Sequence, residues 1–295
     1  MSRMLANGLL LLAAALWGFG NVAQKTVLEH LDPLSAVGMR CLIGGLLVLP
    51  LLLIERRPHF GPGYWLSLAR LSAVFSISIV LQQVAYLSTS VTNASFLVNT
   101  CTVMTPIAAW LIVGERPTVV VAFAACLTLV GILLLSGGIS GSINSGDMAA
   151  LLSAVCYALW MVELGRHMQS HGGAVPAAIG QFLCAALIAL PLGALHGNLS
   201  ADAAWAAAPE LAVLGIFSTA VAFGIQTIAQ RFTPASHAAV IVSGESVFGA
   251  TGAVLFLGET LTFIAGLGGA MVLAAILYLA IAGQPREAAG PAPAS

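Results

Sequence analysis

The stretch LIVGERP, residues 111–117, closes a long apolar run with a glycine and a charge, and LFLGETL, residues 255–261, does the same 144 residues later (258 − 114). Working back from these two endings, residues 82–115 lie over 226–259 without gaps. Gln82, Ala85, Thr89, Ala94, Val98, Val103, Ala109, Leu111, Gly114 and Glu115 then meet Gln226, Ala229, Thr233, Ala238, Val242, Val247, Ala253, Leu255, Gly258 and Glu259, ten identities in 34 positions. Nearer the start, Leu16-Trp17 returns as Leu159-Trp160 and Pro50 as Pro191. The chain reads as one unit written twice.

Composition says where that unit lives. Of 295 residues 59% are hydrophobic and 7% charged, with a mean hydropathy of +1.01. A water-exposed globule needs about 25% charged residues to cover itself, so most of this surface faces lipid. A lipid-spanning helix takes about 20 apolar residues. Ten such runs are expected, at 5–25, 33–54, 66–89, 93–113, 118–136, 147–166, 175–195, 209–230, 235–257 and 262–282. Breakers separate them, among them Asp32-Pro33, Arg57-Pro58, Gly114 to Pro117, Gly137 to Gly146, Gly172-Gly173, His196 to Asn198, Thr233-Pro234 and Gly258. The runs are continuous rather than alternating, which argues against a barrel. The first could be mistaken for a signal peptide, with Arg3 as charged head and Leu9 to Leu16 as apolar centre, but Asn21 and Gln24 extend it without a clear small-residue cleavage site.

The fold class expected is therefore all-α integral membrane, ten transmembrane helices as two inverted five-helix repeats. The repeats cover residues 1–140 and 141–283, with a disordered cytoplasmic tail at 284–295. An odd number of crossings turns the second copy upside down. Charge orients the whole. Arg3, Arg56, Arg57, Arg70, Arg116, Arg166, Arg231 and Arg286 fall in the N-terminal segment, the even-numbered loops or the tail, against Lys25 alone in the odd-numbered loops. By the positive-inside rule both termini are cytoplasmic. At the two Gly-Glu endings glycine can take the left-handed conformation that stops a helix, glutamate complements the next helix N-terminus, and Pro117 suits a first turn. Inverted repeats are the common build of secondary transporters, whose halves rock about a midplane site.

Ten spans, a 5+5 duplication and a Gly-Glu ending to the fourth helix of each half resemble the EamA family of the drug/metabolite transporter (DMT) superfamily, over roughly residues 5–283. Within it the chain looks similar to YddG-type exporters of aromatic and other amino acids. The resemblance implies a cavity lined by the first, third, fourth, sixth, eighth and ninth helices, with the fifth and tenth peripheral.

Candidate substrate-binding residues cluster on those helices. Trp17 and Trp160 stand near the midplane at repeat-equivalent positions, whereas Trp65, Trp110 and Trp205 fall near span ends, where tryptophan usually sits. The pair lines a cavity or packs helices together. Trp17, Asn21 and Gln24 form one helical stripe, and Gln82, Gln83, Tyr86, Asn99, Tyr157, Gln226 and Gln230 add polar groups. Amides in lipid must face protein or water, so they bond neighbouring helices or wet a cavity. Such a lining suits an amino acid, with amides for its charged ends and aromatics for its side chain.

Ionisable groups inside the membrane are costly and point to function. Glu245 is central in the ninth run, as a substrate or proton contact or as a structural charge. His237 begins the same stripe, and Glu163 lies near the cytoplasmic end of the sixth run. Arg40 is expected to be structural or gating. Its repeat counterpart is Gln181 and that of Glu245 is Cys101, so the symmetry breaks at both. Pro106 marks a static bend or a gating hinge in the fourth helix. Gly44-Gly45 and Gly266 to Ala270 allow close packing or a dimer.

Cys41, Cys101, Cys126, Cys156 and Cys184 lie in apolar runs without zinc spacing. No phosphate loop is present, and Gly18-Phe19-Gly20-Asn21-Val22-Ala23 lies within a span rather than at a strand–helix turn. The expectation is a multi-pass bacterial inner-membrane transporter, not an enzyme. It takes no metal, cofactor or nucleic acid, acts as a monomer or weak dimer, and exports amino acids by alternating access. Another small metabolite or an organic cation is the alternative cargo, and an intramembrane enzyme the alternative class.

Overall fold

The computed structural model describes residues 1–55, 60–137, 143–197, 199–257 and 260–282. The second Gly-Glu ending, Arg56, Arg57, Arg286, Asn198 and the tail lie outside the described residues.

The described residues are helical wherever they are regular. α1 (Arg3–Thr26) runs on through a 3₁₀ turn and is followed by α2 (Pro33–Val48), which Asp32 caps by accepting from the amides of Leu34 and Ser35 at 3.0 and 3.1 Å. Pro33 fits there because a first-turn amide has no helical partner. Then come α3 (Tyr64–Ala85), α4 (Val91–Asn99), α5 (Cys101–Val113) and α6 (Val119–Leu135). α5 stops at Gly114, whose φ of 73° is left-handed and whose N–H bonds the Trp110 carbonyl at 3.1 Å. The helix-stopping role read for Gly114 is what the backbone shows, but Pro117 is not in the first turn of α6. It precedes Thr118, whose hydroxyl caps that helix by accepting from Val121.

The second half opens with α7 (Ser145–Ser170), started by a reciprocal Asn144/Asp147 capping box, and α8 (Ala174–His196). Short helices α9 (Ala201–Ala206) and α10 (Ala208–Ala212) lead into an eleven-residue π-helical stretch, Val213–Phe223, continued by α11 (Gly224–Ala229). α12 (Ala235–Val242), α13 (Glu245–Leu257) and α14 (Phe263–Ala282) complete the chain.

Among the described residues, eight helices are long and apolar enough to cross a membrane, and α6 is a shorter apolar helix of 17 residues. The expected ninth run, 235–257, is not one helix: it divides at Ser243-Gly244. The fourth divides at Thr100. In both, i→i+3 amide bonds replace the regular ladder, as from Thr100 to Leu97 and from Gly244 to Ile241, both 3.2 Å. A hydroxyl at each break bonds a carbonyl three residues back, Thr100 to Leu97 and Ser243 to Val240, both at 2.6 Å. This local competition for a carbonyl bends helices. Pro106, where a bend was expected, lies inside the continuous α5, beyond the break.

Tertiary contacts gather the helix ends into two sets. One joins Asn7 to Thr233 (3.1 Å), Glu55 to the α8 N-terminus (2.8 Å to the amides of both Ala174 and Val175), His167 to Ser67 (3.0 Å), and Glu163 to Arg70 and Arg166 (3.6 Å each), with Arg3 and Glu115 near enough to interact electrostatically. The other joins Lys25 to the Tyr86 carbonyl, and Thr89 to Asn144 and Asp147. Arginines gather in the first set. Between the two ends the perimeter is apolar and exposed, with Leu111 and Leu187 each 75% and Ile281 77% accessible, as lipid contact requires. α6 and α14 pack on each other, Phe123 against Tyr278.

Candidate functional site

The two helix breaks face one narrow cavity of about 20 Å³, room for about one water. Its polar walls are Asn21 and Gln24 from α1, Arg40 from α2, Gln82 from α3, Asn99 at the end of α4, Tyr157 from α7 and Glu245 at the start of α13. Trp17, Val98, Cys101, Phe223 and Val242 supply the rest.

Each polar wall is held in place. Asn99 Nδ2 donates to Glu245 Oε1 at 3.3 Å and to the Ser95 carbonyl at 2.8 Å. The Asn21 amide also faces Glu245. Gln24 Nε2 donates to Asn21 Oδ1 at 2.9 Å, and Arg40 Nη1 donates to Gln24 Oε1 at 3.2 Å. Arg40 Nε donates to Thr219 Oγ1 at 3.1 Å. The π-helical stretch carries Thr219 and also Ser218, whose carbonyl accepts the Trp17 indole N–H at 2.9 Å. α1 comes this close to α13 because Gly18 has no side chain. A Cβ there would stand 2.5 Å from the Glu245 carbonyl oxygen and 2.7 Å from the Gly249 nitrogen.

Of the residues singled out from sequence, Trp17, Asn21, Gln82, Asn99, Tyr157, Glu245 and Arg40 meet at the cavity. Trp160 does not reach it. Fully buried, it donates to Gln181 Oε1 at 2.8 Å and packs on Phe75, Tyr157 and Phe223. It backs the wall that Tyr157 and Phe223 present, and Phe223 lies between the two tryptophans, with centroids 4.7 Å from Trp17 and 5.5 Å from Trp160. Gln226 stands behind Tyr157, accepting from its hydroxyl at 3.3 Å and donating to Gln230 at 3.1 Å. Gln83 turns to the Gln24 carbonyl at 2.7 Å, and Tyr86 is buried beside Lys25. His237 is separated from Glu245 by the break, which interrupts their common stripe, and it lies near Arg3 instead. Pro106 is buried within α5 and does not line the cavity. Phe223 and Val242 were not singled out for this role. Their signal was slight, since an apolar residue at a cavity wall looks like any core residue.

Known proteins resemble this chain at three levels. The profile of the EamA-like transporter family matches residues 4–137 and again 144–281. The chain belongs to the EamA-like transporter family. This member is 27% identical over 281 residues to an uncharacterized transporter of Archaeoglobus fulgidus, covering 95% of this chain and 87% of that one. It is 34% identical over 158 residues to the threonine/homoserine exporter RhtA of Escherichia coli strain K12, spanning 53% of this chain and 52% of the exporter. The corresponding Salmonella typhimurium exporter is 31% identical over 162 residues, with coverage of 54% and 53%. A solved crystal structure superposes with a TM-score of 0.78 at 16% identity, over 95% of this chain and 98% of that one, which speaks to the fold alone. The EamA-like chain is thus a multi-pass membrane transporter of the drug/metabolite type.

Proposed function

We propose that this transporter exports neutral amino acids across a bacterial inner membrane by alternating access, through ten crossings arranged as two inverted five-helix repeats, residues 1–140 and 141–283, with both termini cytoplasmic. The observation that carries the reading is the convergence of the two fourth-helix breaks on one polar-aromatic cavity. Discontinuous helices are how transporters of inverted-repeat build expose backbone and side-chain groups to cargo near the midplane. Two further points support it. The contact sets at the helix ends alternate from Asn7 as far as Thr233, in keeping with successive crossings, and the arginine-rich set contains the N-terminal end of α1. The cavity is small in this conformation, so cargo enters only when the halves move apart. Similarity to threonine/homoserine exporters favours small neutral amino acids, and the aromatic wall of Trp17, Tyr157 and Phe223 keeps aromatic ones as the second class.

The test is counterflow in liposomes reconstituted with the purified protein. Labelled threonine or tryptophan should accumulate transiently and saturably against unlabelled amino acid inside, chemically unchanged. Absence of counterflow with any amino acid would discard the substrate class, and conversion of the label would indicate an enzyme.

A further inference from the structure

The cavity holds one cation and one carboxylate that do not touch. Arg40 is 2% exposed, yet neither of its bonds goes to an acid: Nε bonds a threonine hydroxyl and Nη1 an amide oxygen. Among the described residues Glu245 likewise bonds only amides, those of Asn99 and Asn21. No ion pair within 4.0 Å joins the two among the described residues. Burying separated charges in a low-dielectric interior is costly unless something compensates them.

What lies between them is directional. Arg40 donates to Gln24, Gln24 donates to Asn21, and the Asn21 amide faces Glu245. Every donor points from the cation toward the carboxylate, so the two amides on the α1 stripe form a polarised bridge with a positive and a negative end. Most of the remaining lining is hydrophobic or aromatic, Trp17, Val98, Tyr157, Phe223 and Val242 among it, and Gln82 adds a neutral amide. A fully apolar cargo would leave both ends unmatched, and a simple cation or anion would match one.

We propose that Arg40 and Glu245 are the two poles of a zwitterion site, Arg40 taking the α-carboxylate and Glu245 the α-ammonium of the cargo. Arg40 is then a binding residue rather than a structural or gating charge. Guanidinium suits the carboxylate because its planar fork offers parallel donors. The cargo lies along the Gln24–Asn21 bridge and puts its own opposite charges where the protein's are unpaired. The two positions at which the duplicated sequence is asymmetric, Arg40 against Gln181 and Glu245 against Cys101, are the two that make the site polar. This assignment rests on the amino acid reading above and sharpens it: both charged ends of the cargo are recognised, and its side chain is only accommodated.

The experiment is competition against labelled threonine counterflow in proteoliposomes, using three unlabelled competitors: threonine, its amino alcohol without the carboxylate, and its hydroxy acid without the ammonium. On the wild type each truncated analogue should compete about ten- to hundredfold less well, the loss of one charge-assisted contact. Arg40→Gln should abolish the preference for threonine over the amino alcohol and keep that over the hydroxy acid. Glu245→Gln should do the reverse, and Arg40→Lys should restore part of the carboxylate preference. If the wild type carries threonine but the amino alcohol and the hydroxy acid each compete as well as threonine does, the two poles are wrong while amino acid export stands. The poles are equally wrong if Arg40→Gln and Glu245→Gln transport with unchanged preferences. If no amino acid is carried at all, both readings fall. Should Arg40→Gln not insert, Arg40→Lys and Glu245→Gln still read the two preferences, and unchanged preferences in both would overturn the assignment.

Discussion

Asn99 and Glu245, 146 positions apart, meet at 3.3 Å, each at the break of a helix that the sequence shows as one apolar run. The amide at the end of α4 and the carboxylate opening α13 tie the two half-helix junctions together across the interior. Breaks elsewhere in the bilayer would leave backbone groups unsatisfied. Here hydroxyl back-bonds and the facing side chains absorb the cost.

This contact should be measurable as coupling. Asn99→Ala and Glu245→Gln, singly and together, are expected to show an interaction energy of about 0.5–2 kcal/mol in thermal or denaturant unfolding of the purified protein. Additive effects would mean that the two junctions are independent.

Gly18→Ala should perturb the junction from the other side. The new methyl meets backbone atoms of α13, which cannot rotate away, at a cost of about 1–3 kcal/mol. Transport should fall with it. Gly8→Ala is the control on the same helix, where a Cβ would meet nothing within 4 Å, and its unfolding temperature should be unchanged or slightly raised.

The two repeat-equivalent tryptophans should behave differently. Trp17→Phe removes a cavity wall and should change the KM for counterflow. Trp160→Phe leaves Gln181 Oε1 without its indole donor, and should lower stability by about 1–3 kcal/mol with the preference among amino acids intact. Equal shifts in KM from both would give Trp160 a place in the site that its burial denies it.

Orientation is open to chemistry. With the five native cysteines replaced, Ile143→Cys should react with an impermeant thiol reagent added to intact cells, and Ser170→Cys only after permeabilisation. The reverse pattern overturns the topology proposed above.

At the first Gly-Glu ending, burial pushes the Glu115 carboxyl above its ordinary range, and nearby Arg3 opposes that shift. A raised acid binds its proton more tightly when folded, so its contribution falls as pH rises from the ordinary glutamate range, about 4.3, through the folded value. Glu115→Gln should flatten that fall in a plot of unfolding temperature against pH. Arg3→Ala should extend it to higher pH.

Much of the framework was legible because its physics is local. An apolar run long enough for lipid, Asp32-Pro33 ahead of a helix, and Gly114 at a stop each need only their neighbours. The stripe of Trp17, Asn21 and Gln24 was readable for the same reason, since helical spacing alone puts them on one face. The breaks were not. Neither Thr100 nor Ser243-Gly244 carries a proline, and an interior glycine inside an apolar run is ordinary in membrane helices. The one hint was the gap-free alignment, which sets Thr100 against Gly244. Proline drew attention to residue 106 instead, six residues past the actual junction.

By itself the sequence determined that the chain dwells in lipid, that its two halves share a run of internal identities, and which polar side chains would have to find partners away from the acyl chains. Composition, spacing and internal identity suffice for those. Only the tertiary structure decided which partners they found: Arg40 with Thr219 of a π-helical stretch, Trp160 with Gln181 behind the wall, His237 beside Arg3, Glu245 with two amides. The cause is that a polar group in lipid must pair with whatever its neighbours present. Which neighbours those are depends on helix rotation and on breaks that arise from packing between segments more than a hundred residues apart.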